Sequence, residues 1–232
     1  MKDRTICIGD IHGCVEEFEE LLDKLQYKSE TDRLILLGDL LDRGPDSAAV
    51  VRKARKMELE CLQGNHEYKF LRWFKGNKYL DCAPHYHQLS DEDVTYINNM
   101  PCYIKLRNDL WLVHAGVKPG VPLEKQDKHD LLYIRYTDEK RKTISLRKIA
   151  KGQVDEAMFW TEFGGFGASI IYGHNVYSYE EPRIDKFDDG TICYGIDTGC
   201  CFGGRLSAMI VETGEIVQVQ AKKEYFKAGF AE

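Results

Sequence analysis

A chain of 232 residues with 43% hydrophobic and 11% aromatic residues suits one compact α/β domain with a buried core of its own. Its formal net charge of -6 argues against an extended electrostatic footprint for duplex nucleic acid. No apolar run approaches the length that spans a bilayer, so no membrane partner is expected.

Residues 5–8 form a short apolar run that reads as a buried strand, followed by Gly9-Asp10-Ile11-His12-Gly13. Val15, Phe18, Leu22 and Leu25 then recur near helical spacing. The theme repeats twice. Strand 33–37 leads through a Gly-containing loop to a helix carrying Ala48, Val51 and Ala54, and strand 59–62 leads through Gly64-Asn65-His66-Glu67 to another helix. Such alternation predicts parallel strands with right-handed crossovers, and ligands collect beyond the carboxyl ends of such strands.

Residues 76–88 are mixed, and Ser90 three places before Asp93 reads as a helix cap. Residues 103–106 and 110–113 flank Arg107-Asn108-Asp109 as a hairpin that runs into His114-Ala115-Gly116. The charged, weakly patterned stretch 117–160 is expected to be partly helical and to form a cap or rim on the single domain 1–232. Within it Lys140, Arg141, Lys142, Arg147 and Lys148 read as a solvated face. Strands resume at 170–172 before Gly173-His174, then at 191–196, 205–211 and 216–219.

Eight cysteines invite a disulfide or zinc reading, but none has C-x-x-C spacing. The opening Met-Lys-Asp-Arg carries no export signal before the first strand, so a cytoplasmic location with reduced thiols packed as small core residues is expected.

Six side chains of metal-ligand type follow predicted strands: Asp10, His12, Asp39, Asn65, His114 and His174. Carboxylate, imidazole and amide-oxygen donors suit Mn²⁺, Fe²⁺ or Zn²⁺, and no thiolate stands among them. Six ligands with one shared carboxylate would hold two ions, which together can bridge a hydroxide and clamp an in-line displacement. Taken singly, four of them have a plain structural reading: Asp10 and Asp39 as helix caps, His114 and His174 as satisfied buried histidines.

Gly9-Asp10-Ile11-His12-Gly13, Gly38-Asp39-Leu40-Leu41-Asp42-Arg43-Gly44, Gly64-Asn65-His66-Glu67, His114-Ala115-Gly116 and Gly173-His174 resemble, in order, the motif blocks of the calcineurin-like metallophosphoesterases. Within them the chain resembles the phosphoprotein phosphatase branch and its bacterial relatives, including the symmetrical dinucleoside tetraphosphatases. The resemblance implies an α/β fold in which a β-sandwich of mixed sheets is flanked by helices. It implies that Asp10 and His12 bind one metal, Asn65, His114 and His174 the other, and that Asp39 bridges them. It further implies that Arg43 holds phosphate oxygens, that His66 protonates the leaving oxygen, and that Asp42 orients His66. Arg135, in Tyr133-Ile134-Arg135, resembles the second phosphate-binding arginine of bacterial and phage members. His85, His87 and His129 lie outside every block and receive no catalytic role.

For substrate the blocks point two ways. Ile196-Asp197-Thr198-Gly199-Cys200-Cys201-Phe202-Gly203-Gly204 resembles the late segment of bacterial tetraphosphatases, whereas Gly64-Asn65-His66-Glu67 and the Asp42-Arg43 pair are closer to protein phosphatases. The expectation leans to a serine/threonine protein phosphatase-like monoesterase with two divalent ions, Mn²⁺ first. A symmetrical dinucleoside tetraphosphatase is the alternative. A phosphodiesterase or nuclease, or an inactive metal-binding recruitment module, stand behind it. Trp73, Tyr79, Tyr133 and Tyr136 are available to stack on a base or to pack the interior.

Overall fold

In β1 (Arg4–Ile8) successive side chains take opposite faces, and both faces are buried: Ile6 and Ile8 point to one hydrophobic cluster and Cys7 to another. β2 (Asp32–Leu36), after α1 (Val15–Lys24), divides the same way, with Leu34 and Leu36 on one side and Ile35 on the other. A strand covered on both faces belongs to the middle of a layered fold, which the computed structural model bears out; it describes residues 2, 4–77, 80, 83–154 and 156–227.

The chain continues through α2 (Ser47–Lys56), β3 (Glu60–Cys61), α3 (Asn65–Phe74), α4 (Asp91–Asn98) and the hairpin β4 (Tyr103–Arg107) and β5 (Leu110–Val113). Then come α5 (Lys128–Tyr133), β6 (Tyr136–Thr137), β7 (Thr143–Ile144), α6 (Leu146–Ala150) and β8 (Met158–Phe159). β9 (Ser169–Tyr172), β10 (Arg183–Lys186), β11 (Ile192–Gly195), β12 (Arg205–Ile210) and β13 (Glu215–Gln220) complete it.

Two mixed sheets, β13-β12-β1-β2-β3 and β10-β11-β9-β5-β4, face each other. β1, β2 and β3 run parallel, as do β5, β9 and β11, while the remaining pairings in these two sheets are antiparallel. Cys7, Ile35, Leu112, Ile171 and Met209 fill the space between the sheets. The four helices α1–α4 close the outer face of the first sheet through residues such as Phe18, Val51, Phe70 and Ile97, and Trp160 and Phe166 pack with Ile170 and Tyr172 outside the second. This is the expected sandwich flanked by helices.

Two elements were not foreseen. The segment 117–160 contains α5 and α6 but also the small sheet β7-β6-β8, whose two-residue strands are too short to show any period. The edge strand β10 is polar, with Arg183, Asp185 and Lys186 among its four residues, and hides its pattern for that reason. No helix among the described residues is long and apolar enough to cross a membrane.

Candidate active site

The loops that leave the carboxyl ends of the parallel strands meet at one edge of the sandwich and are tied to one another by backbone hydrogen bonds. Ile11 and His12 N–H donate to the carbonyl of Asp39 at 3.2 and 2.8 Å, Gly13 N–H donates to that of Leu40 at 2.9 Å, and Gly173 N–H donates to that of His114 at 2.8 Å. Packing this tight needs glycine at two contacts. Gly38 has φ +102°, and a Cβ there would stand 2.9 Å from Nδ1 of His114; at Gly173 it would collide with Oδ1 of Asp10. His12, Asp39, Asp42, Arg43 and His174 themselves adopt positive φ, five of the eight non-glycine residues described that do so. Such strain concentrates where surrounding structure over-determines a functional geometry.

The six predicted ligands lie together. Asp39 is the hub: its Oδ2 stands 3.6 Å from Nε2 of His12, 3.4 Å from Nε2 of His114 and 3.9 Å from Nε2 of His66. Oδ2 of Asp10 is 3.9 Å from Nε2 of His12, and the backbone N–H of His174 donates to both oxygens of Asp10, at 3.0 and 3.1 Å. Oδ1 of Asn65 is 3.0 Å from Nε2 of His114, and the His114 and His174 rings lie 5.0 Å apart. Two compact groups share the central carboxylate, His12–Asp39–His66 and Asp39–His114–His174, each with donor atoms within 4.8 Å of one another.

Several observations test whether these residues suit metal ions. Nδ1 of His12 donates to the carbonyl of Leu41 at 2.7 Å and Nδ1 of His114 to that of Leu37 at 2.9 Å. A carbonyl can only accept, so each Nδ1 carries a proton and each Nε2 faces inward, the orientation that metal-binding histidines require. Burial, reinforced by Arg43 for His12 and by Arg135 for His174, holds both imidazoles well below their usual range and therefore neutral. Burial also opposes charge on His114, but Asp39 outweighs it and pushes that imidazole up to about 10. Oδ1 of Asn65, Oδ2 of Asp39 and Nε2 of His114 thus converge on a point whose field strongly favours positive charge. Burial and the Asp197 carboxylate push Asp10 well above the usual carboxylate range. For Asp39, burial is outweighed by His114, His66 and His12, and the carboxyl is held low. Buried carboxylates in excess of nearby fixed cations fit divalent ions.

The predicted acid and its partner are in contact. Nδ1 of His66 donates to Oδ2 of Asp42 at 2.6 Å, leaving Nε2 directed at the Asp39 hub. Asp42 also receives Tyr86 O–H at 3.2 Å, faces Lys69 Nζ at 3.7 Å, and has Nε2 of His85 2.9 Å from its Oδ1. Against the opposing effect of burial, the hydrogen bonds from His66 and His85 hold its carboxyl far below the usual range. His85, given no catalytic role from the sequence, thus reaches the Asp42 carboxylate: the segment 83–88 folds back over α3, a return that no local motif signals. Arg43 reaches Nε2 of His12 at 2.7 Å, and its guanidinium lies 5.1 Å from the ring centre of Phe202, from the late glycine-rich segment. Arg135 lines the same cleft as Arg43.

Two buried acids were quoted in motifs without a role. Glu67, wholly buried, accepts N–H bonds from Gly64, Asp39, Leu40 and Leu41 at 2.8–3.2 Å and so fixes the loop that carries the hub. Asp197 is 6% exposed, and burial pushes it up to about 6. It follows β11 just as Asp10 follows β1, so the strand-end signal was present in Ile196-Asp197-Thr198.

A cleft of about 650 Å³ opens over the site. Arg147 and Lys148, expected on a solvated face, line it together with Lys69, Arg43 and Arg135, and no acidic residue lines it among the described residues. His129 also lines it, with its ring stacked on Tyr133 at 4.7 Å. Of the aromatics considered for stacking, Trp73 and Tyr136 pack against the core clusters, Tyr133 faces the cleft, and Tyr79 lies outside the described residues.

Residues 4–205 match the profile of the calcineurin-like phosphoesterases. The chain is 31% identical to the asymmetrical bis(5'-nucleosyl)-tetraphosphatase PrpE of Oceanobacillus iheyensis, with 97% of this chain and 95% of the relative covered. It is 30% identical to the enzyme of the same name from Bacillus thuringiensis, with 96% of each covered. The crystal structure of a candidate diadenosine tetraphosphatase superposes with a TM-score of 0.80 and 28% identity over 95% of both chains. A serine/threonine phosphatase from Saccharomyces cerevisiae superposes with a TM-score of 0.59 at 14% identity, covering 97% of this chain and 80% of that one, a likeness of fold alone.

Proposed function

The chain belongs to the calcineurin-like phosphoesterases, and from that premise we propose that it cleaves dinucleoside tetraphosphates at a centre of two divalent ions, Mn²⁺ first among them. Membership makes it a metal-dependent hydrolase of phosphoric ester or anhydride bonds. The earlier lean towards a protein monoesterase gives way to the tetraphosphatase alternative. Relatives matched over nearly their whole length carry that name, with asymmetrical rather than symmetrical cleavage, while the yeast protein phosphatase, 14% identical, shares the fold alone.

The observation that carries the reading is the cleft. On a chain of net charge -6, it gathers Arg43, Lys69, Arg135, Arg147 and Lys148 with no acidic lining residue among those described. Its volume of about 650 Å³ is that of a small-molecule site. A run of phosphates matches such a row of cations better than one phosphate on a peptide does. We place the segment 117–160 as the rim of the single domain, since β7 and α6 supply Thr143 to Lys148 to the cleft wall.

Asp10 and His12 would hold one ion, Asn65, His114 and His174 the other, and Asp39 would serve both. When bound, the ions lower the pKa of water towards neutrality and neutralise charge on the phosphoryl group. Arg43 and Arg135 hold the non-bridging oxygens of the attacked phosphate through planar guanidinium donors. The Phe202 ring beneath Arg43 keeps that fork in place. His66 presents a proton at Nε2 to the leaving phosphate oxygen as the phosphoanhydride bond breaks and the water oxygen bonds to phosphorus. Asp42 holds the ring and stabilises its charge.

Kinetics with Mn²⁺ on diadenosine tetraphosphate, a phosphoserine peptide, p-nitrophenyl phosphate and bis(p-nitrophenyl) phosphate test the proposal. Expected are the highest kcat/KM on the tetraphosphate, products AMP and ATP, and about a tenfold rise in KM for Arg147→Ala/Lys148→Ala, the loss of one charge-assisted contact. Preferred turnover of the peptide, or of the diester, would overturn the substrate assignment; two ADP would overturn the asymmetrical cleavage.

A further inference from the structure

Away from the oxygen and nitrogen ligands above, three buried side chains form a second kind of cluster. Cys14, Glu17 and Cys200 bring one ligand atom each to within 4.8 Å of one another, and all are at most 1% exposed. Sequence spacing hides the group, because Cys14 and Cys200 stand at opposite ends of the chain.

Glu17 points to a ligand. Its Oε1 is fully engaged, accepting the backbone N–H of Lys222 at 2.8 Å and the hydroxyl of Tyr225 at 2.8 Å. Its Oε2 is buried with no hydrogen-bond partner among the described residues. A desolvated carboxylate oxygen left unmatched is destabilising, so something positive or protic belongs beside it. Helix capping does not use these residues. Cys14 occupies the N-cap of α1, where Ser, Thr, Asp or Asn is the usual choice, and makes no side-chain capping bond. Glu17 stands three residues on, where a glutamate ordinarily reaches back to the cap, yet it turns towards the C-terminal segment instead. The thiol of Cys14 makes a long contact of 3.7 Å with the carbonyl of His12 and a hydrogen bond with the thiol of Cys200.

We propose that Cys14, Glu17 and Cys200 bind a thiophilic divalent cation of the Zn²⁺ type, separate from the catalytic ions, with water as the fourth donor. Two sulfurs and one carboxylate select a softer ion than the oxygen-rich catalytic set does, so the two sites divide metals by chemistry. Each thiol that binds releases its proton to solvent. The ion ties three stretches together: the loop carrying His12, the loop that follows Asp197, and, through Glu17, the residues around Tyr225. It acts as a brace behind the catalytic loops.

Cobalt reports on this site alone, because the ligands assigned to the catalytic centre contain no sulfur. Chelated, reduced protein is titrated with Co²⁺ without oxygen while near-ultraviolet absorption is followed. A sulfur-to-cobalt charge-transfer band that saturates within three equivalents per chain, the two catalytic ions included, is expected. It should be retained in Cys201→Ser and lost in Cys200→Ser and Cys14→Ser. Absence of the band from the wild-type protein at saturating Co²⁺ would overturn the proposal without any variant. So would its survival in the Cys14→Ser/Cys200→Ser protein.

Discussion

At His66, the basicity of the leaving oxygen decides how much a proton donor matters. A serine alkoxide departs poorly without a proton, whereas the phosphate released from an anhydride is a weak base. The 2.6 Å bond to Asp42 and the Nε2 directed at the Asp39 hub place His66 to serve either substrate. His66→Gln is therefore expected to lower kcat by about 10²–10⁴-fold on an alkyl phosphomonoester, the usual worth of general acid catalysis, and by clearly less on the tetraphosphate. Equal losses on both substrates would assign His66 to positioning instead. The residues legible from sequence, Asp10, His12, Asp39, Asn65, His114 and His174, were so because each follows an apolar strand. Glu67 and His85 were not, because what makes them matter is a partner far along the chain: the N–H groups of residues 39–41 for one, Asp42 for the other.

Among the elements, α4 shows how the helical layer is clamped and how that clamp responds to acid. Asp93, fully buried, accepts the N–H of Ser90 at 3.0 Å in a capping box and pairs with Nε of Arg55, from α2, at 2.8 Å. Burial opposes its charge, but the Ser90 and Arg55 bonds outweigh it, and the carboxyl is held below its usual range. Asp32 is held low in turn by hydrogen bonding to Arg4. A carboxyl whose folded pKa is depressed binds its proton more readily when unfolded. Its stabilisation is thus complete above the ordinary value near 3.8 and is lost as pH falls through the lower folded value. The difference in urea unfolding midpoint between wild type and Asp93→Asn should be level from pH 7 to about 5 and shrink below about 4. Asp93→Asn should lower the midpoint at pH 7 and flatten the acid slope; an unchanged slope would remove the clamp from the account. The capping signal at Ser90 and Asp93 was plain in the sequence, as was the hairpin of β4 and β5. β10 and the β6–β8 sheet were not, since a polar edge and two-residue strands leave no periodicity to detect.

Taken as a whole, the molecule is an arrangement for carrying carboxylates and imidazoles from both sheets to one edge. Asp10 and Asp39 come from the first sheet, His114 and His174 from the second, and the core between the sheets holds the two sets in register. Asp39 is the single side chain that both ligand groups share. The most direct test is the manganese content of chelated and Mn²⁺-reloaded protein, wild type against Asp39→Asn, with turnover and urea unfolding measured on the same samples. The account predicts about two manganese ions per wild-type chain, a near-complete loss of turnover and of bound manganese in Asp39→Asn, and cooperative unfolding in both. An Asp39→Asn protein that keeps both ions and wild-type turnover would contradict it.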